Sequence, residues 1–192
     1  MKRTLLVLFM LIAAATYTNA QNEITGFLGI KLEDKPYVAI DKLKNRFPNV
    51  KWEYPCIKIE NISFLGQQFN SLVITYKDEK LTEAVFTLRK TDLVFQRMNQ
   101  DMNSFLVEGQ AAQSRIANLL AQLYSDFATT LFSKYGEPTI SSERNAIWKD
   151  INSNSITLSV TYNTEHNEIL MGAKGNVTIT YRTSSTISND EF

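Results

Sequence analysis

The chain has 192 residues, with 20 Lys plus Arg balanced by 20 Asp plus Glu, one His and one Cys. Neutral charge leaves no basic footprint for a nucleic-acid backbone, and one His with one Cys is too few for most all-protein zinc, iron–sulfur or haem schemes or for a disulfide framework. This length holds one domain or two small ones, and buries roughly 70% of the unfolded-chain surface without a staple.

The first 20 residues read as a secretory signal. Lys2 and Arg3 form a basic start, residues 5–15 are apolar, and Thr18-Asn19-Ala20 places small or polar residues before a cut after Ala20. Eleven apolar residues are too few to anchor in a bilayer, which takes about 20. Cleavage removes Lys2 and Arg3 and leaves 18 basic against 20 acidic residues. The expected destination is the periplasm or the exterior, with the mature chain soluble. Cys56, in YPCIKI, is then expected to pack as a small buried hydrophobe rather than bridge two chains.

The predicted elements follow in order. Asp34-Lys35-Pro36 opens a helix over 36–47, with Asp34 as cap and Pro36 in the first turn; Tyr37, Ile40, Leu43 and Phe47 form its apolar stripe, and Pro48 ends it. Strands are expected over 57–63 and then as a hairpin. Leu72, Ile74 and Tyr76 alternate with Val73 and Thr75, residues 77–80 turn, and Ala84, Phe86 and Leu88 alternate with Val85 and Thr87.

Residues 92–107, DLVFQRMNQDMNSFLV, repeat apolar groups at helical spacing, which suggests an amphipathic helix. A longer helix is predicted over 110–135, burying Ile116, Leu119, Leu120, Leu123, Phe127 and Leu131; Gly136 and Pro138 close it. Strands are expected over 140–149, 156–162, 168–171 and 177–181, with Gly175-Asn176 as the last turn. Clean polar–apolar alternation means one covered and one uncovered face.

The expectation is therefore an α+β fold, an antiparallel sheet with helices on one face, built as a tandem repeat of helix followed by β-meander. Residues 21–183 would form a single domain with subrepeats at about 26–90 and 110–183, connected by 91–109. Thr183 begins a polar tail, with 184–192 flexible.

Three stretches carry a resemblance. They are Phe27-Leu28-Gly29-Ile30 ahead of a short helix, Lys134-Tyr135-Gly136-Glu137-Pro138 closing the long one, and Trp148-Lys149-Asp150 before strands 156–162 and 177–181. Together they resemble a group of small exported proteins of Bacteroides-type bacteria with no established activity. Some of these have an architecture similar to the β-lactamase-inhibitor-protein fold. The resemblance implies a tandem helix-plus-sheet arrangement over 26–183 and supplies no catalytic residue.

Catalytic constellations are sparse. His166 is the sole candidate base for a nucleophile and lies in a polar turn; no G-x-S-x-G elbow, Walker loop or dinucleotide fingerprint occurs. Carboxylates that a glycoside hydrolase would pair, Asp78, Glu79, Glu165 and Glu168, fall in turns, and Glu33-Asp34 at a helix start. Asp150, Asn152 and Asn154 match only the first half of a calcium loop, since Ser155 and Thr161 replace its Gly and distal Glu, so a turn is expected. No cofactor or metal is called for.

Two kinds of contact surface stand out. Phe95, Met98, Met102 and Phe105 would line one side of the 92–107 helix, as an adaptable surface for a protein partner or a second copy, or as core. Trp52, Tyr54 and Trp148 would stack on sugar rings if exposed, though positions flanking strands favour half-buried packing. The leading expectation is an exported, non-enzymatic binding or inhibitor-like module. The alternatives are a periplasmic or secreted hydrolase acting on glycan or peptide, and a structural envelope component.

Overall fold

The computed structural model describes residues 22–184, so the expected signal segment and the expected flexible tail, 184–192 beyond Ser184, lie outside the described residues. The architecture is α+β. Two short strands, β1 (Gly26–Phe27) and β2 (Ile30–Lys31), form a hairpin and lead into helix α1 (Pro36–Lys44). A meander follows: β3 (Lys51–Glu53), β4 (Cys56–Phe64), β5 (Gln67–Lys77) and β6 (Lys80–Phe95). Helix α2 (Met102–Tyr135) precedes a second meander of β7 (Ile140–Ser141), β8 (Asn145–Lys149), β9 (Ser155–His166) and β10 (Leu170–Arg182). The eight strands from β3 to β10 make one antiparallel sheet in the order 3-4-5-6-10-9-8-7. The last strands of the two meanders thus meet at its centre.

Alternation decides the faces. In β6, Ala84, Phe86 and Leu88 are buried; opposite them in β10, Tyr181, Ile179 and Val177 are buried too. These side chains face α2, whose stripe Ile116, Leu120, Leu123, Phe127, Leu131 and Tyr135 recurs every three or four residues. Phe69, Phe86 and Phe127 form the aromatic centre, and Phe27 of the β1–β2 hairpin packs 5.6 Å from Phe86 and 5.0 Å from Tyr181. Among the described residues, no helix lies over the other face. Across it runs a half-buried row of register partners, Val73, Val85, Thr180, Thr157 and Ile147.

Several local expectations need correction. The cap of α1 is Lys35, without a side-chain bond. Asp34 instead accepts from the Lys31 amide at 2.8 Å and the Lys42 ammonium at 2.6 Å. The helix stops at Lys44, and Ala39 with Leu43 makes its buried edge, which turns Tyr37 outward. Leu119 of α2 is partly exposed. The expected 140–149 strand is the two-strand pair β7–β8.

Gly175-Asn176 is not a turn but the middle of β10. A Cβ on Gly175 would meet Leu120 Cδ1 at 2.5 Å, so glycine here lets the helix lie on the sheet. The turn falls at Asn167–Ile169, where Asn167 Oδ1 accepts from the Ile169 and Leu170 amides at 3.0 and 2.5 Å. Thr183 is buried rather than frayed, donating to the Leu81 carbonyl at 2.8 Å.

The amphipathic helix over 92–107 does not form. Residues 92–95 end β6, held by partners up to Leu170↔Phe95, and α2 begins only at Met102. Asp101 caps it, accepting from the Ser104 amide at 2.9 Å and hydroxyl at 2.6 Å. Helical spacing of apolar residues lost to strand pairing with a segment some 80 residues away, a tertiary override of a local pattern.

Candidate functional sites

Two concentrations of exposed apolar side chains remain once the core is packed. The first lies where the sheet narrows. Beyond Thr87, β6 leaves β5, and beyond Ser159, β9 leaves β8, so the sheet continues as a three-stranded ribbon of β6, β10 and β9. The start of α2 lies over it. Gly109 permits the approach, since a Cβ there would sit 2.7 Å from Met171 Cβ and Sδ. Arg115 Nε donates to Asp92 Oδ2 at 2.7 Å, tying helix to ribbon.

At the ribbon's end Phe95 is 62% exposed, Met98 fully so and Met102 51%, and Leu106 and Ile169 are exposed too. Phe105 is buried beneath them. Three of the four expected contact residues therefore face water, while the fourth is core. They do not share a helix face: Phe95 belongs to a strand, paired with Leu170, Met98 to the connection and Met102 to the helix.

The second concentration lies between α1 and the sheet edge. Trp52 and Tyr54, two residues apart, have ring centroids 6.4 Å apart, inclined at 50°. With Tyr37 they border a groove of about 450 Å³. Trp52 is 42% exposed, Tyr37 61% and Tyr54 73%, which overturns the half-buried expectation for Trp52 and Tyr54. Trp148 is fully core instead, its indole N–H donating to the Gly136 carbonyl at 2.9 Å.

The remaining candidates resolve into structural roles. Asp150 carboxylate oxygens accept from the amides of Asn152 and Asn154 (2.9 Å each), the Ile24 amide and the Asn154 side chain (3.0 Å each). These bonds fasten the N-terminal segment to the 150–154 turn. His166 ends β9 and is exposed. Glu79 is bound by Lys35 at 2.8 Å, which raises the lysine's pKa, and Glu165 by Lys174. Asp78 and Glu79 have φ of 51° and 61°, the backbone of a tight hairpin turn.

Cys56 is half-buried rather than core, with Sγ 3.8 Å from Thr75 Oγ1. A depression of about 830 Å³ is bordered by Glu33, Lys35, Glu79 and Lys80, so charges of both signs line it.

Comparison with known protein families, characterised proteins and solved structures yields no match. Among the described residues, no helix is long and apolar enough to cross a membrane. The sites therefore rest on their own geometry. Sequence reasoning missed Tyr37, whose outward turn follows from Ala39 taking the core position. Helical spacing placed Tyr37 on the stripe with Leu43; the small Ala39 between them carried the signal.

Proposed function

We propose that the chain is an exported, non-enzymatic binding module that meets another protein through the end of the β6–β10–β9 ribbon. The observation that carries this is the concentration of exposed apolar side chains there. Five of the thirteen large exposed hydrophobics among the described residues are Phe95, Met98, Met102, Leu106 and Ile169. Protein surfaces usually scatter such groups, and their gathering marks a contact site. Methionine and phenylalanine suit an adaptable interface.

Export rests on the signal-like layout of residues 1–20. The likeness to inhibitor-type tandem folds is part of the same reading. It is supported by the chain order, helix then four strands in each half, with the closing strands β6 and β10 side by side.

A photo-reactive residue at Met98, in the full chain made in its native host, tests the proposal. The expected result is a discrete adduct that disappears when Phe95 and Met102 are changed to Ser. The control is the same probe at Ile151, equally exposed but far along the chain in the 150–154 turn. No adduct at Met98, or equal labelling from Ile151, refutes the reading.

A further inference from the structure

The aromatic groove is a separate site with its own chemistry. Helix α1 presents Tyr37, Ile40 and Lys44 at positions i, i+3 and i+7, the spacing of one helix face. Opposite stand Trp52 of β3 and Tyr54 just beyond it, two residues apart and so on one side of the strand. Pro36 lies against the groove as part of its buried wall, while the three aromatic side chains remain exposed, Trp52 the least so. Large aromatic faces left exposed together, with polar groups beside them, are the makings of a ligand site rather than a core.

Charge selects among ligands that use aromatic faces. At one end Lys35 and Glu79 neutralise each other at 2.8 Å. Lys44 borders the groove and has no ion-pair partner among the described residues. The groove therefore carries one uncompensated positive charge. A quaternary ammonium, which also favours aromatic faces, is repelled by it. A sugar ring offers a flat C–H face to stack on the electron-rich face of an indole or phenol, and hydroxyls around its edge. A carboxylate on that sugar gives Lys44 its missing partner.

We propose that this groove binds an acidic oligosaccharide of the uronate class. Sugar faces stack on Trp52 and Tyr54, Tyr37 closes the opposite side, and the Lys44 ammonium holds a carboxylate. Trp52 is the reporter, because the other indole, Trp148, is buried.

Titration of the full chain with tetramers of galacturonate, glucuronate and guluronate, followed by tryptophan fluorescence and calorimetry, tests this. At least one tetramer should bind. Trp52→Ala and Tyr54→Ala should each weaken binding tenfold or more, and Lys44→Ala several-fold, with unchanged circular dichroism. Lys44→Arg should retain binding, which separates charge from mere packing.

Four results overturn the proposal. They are no binding by any of the three uronates, equal binding of a neutral β-1,4-glucose tetramer, tighter Trp52-dependent binding of choline or a proline-rich peptide, and uronate binding that survives Trp52→Ala, which would place the ligand elsewhere.

Discussion

Tyr76 supplies the sharpest test of how this core is assembled. Its ring is buried in β5, and its hydroxyl has no hydrogen-bond partner among the described residues. Burial, reinforced by the negative charge of Asp34, pushes its phenol well above the ordinary value. Tyr76→Phe keeps the ring and removes the orphaned hydroxyl. Because such a group costs about 1–3 kcal/mol when buried unpaired, the variant should gain about 1 kcal/mol at pH 7.

The pH dependence has a definite sign. In the unfolded chain a tyrosine ionises near pH 10, while in the fold Tyr76 stays protonated. Stability linked to it is thus fully present below about pH 10 and is lost as pH rises from there towards the folded value. The loss approaches about 1.4 kcal/mol per pH unit for each such tyrosine. Tyr181, pushed up chiefly by burial, behaves alike in both proteins. The advantage of Tyr76→Phe should therefore widen above pH 10 at about that rate.

Urea unfolding followed by far-ultraviolet circular dichroism, at pH 7, 9, 10, 10.5 and 11, measures it. A loss greater than about 0.5 kcal/mol at pH 7 would mean the hydroxyl has a partner, and parallel curves above pH 10 would refute the titration argument.

Two further predictions concern the joints. Gly109→Ala gains about 1 kcal/mol of helix propensity. The new Cβ nevertheless overlaps Met171 at 2.7 Å, and overpacking costs about 1–3 kcal/mol; the variant should be no more stable than the parent, and a Tm rise would show that the helix can lift freely. Asp150→Ala removes an acceptor of four bonds and should cost about 2–4 kcal/mol. Hydrogen exchange should then rise at the Ile24, Asn152 and Asn154 amides, and unchanged protection at Ile24 would contradict its role as a fastening.

What the sequence made legible follows from the range of the forces involved. The Asp78-Glu79 hairpin, the stripe of α2 apart from Leu119, and its Gly136 ending are set by local periodicity and turn chemistry, and they form as expected. The 92–107 segment was misread because Val94 and Phe95 fit a helix or a strand equally well, and only pairing with β10 decides between them. Gly175 looked like a turn residue because its reason for being glycine, Leu120 pressing from another element, is invisible in the neighbouring sequence. The candidate surfaces split the same way. Phe95, Met98 and Met102 announced themselves by composition, but Phe105 joined the core through the fold, and the exposure of Trp52 and Tyr54 beside α1 is set by tertiary placement.

The edges of the sheet give an independent reason to place a contact at the ribbon. Unpaired strands invite association, and proteins blunt them by keeping edge strands short or charged. At the outer margins β3 has three residues and is Lys-Trp-Glu, and β7 has two, although β4 beyond Lys58 pairs only with β5. Along β6 in the ribbon, charged residues stop at Asp92. From residue 89 to 95, β6 pairs only with β10, apart from the Arg89 amide, which donates to the Asn70 side chain at 2.5 Å. That unpaired edge ends in Leu93-Val94-Phe95, beside Met98 and Ile169. An edge left open where exposed apolar side chains gather is expected of a surface covered in use. A solitary soluble domain would gain from a lysine in place of Phe95.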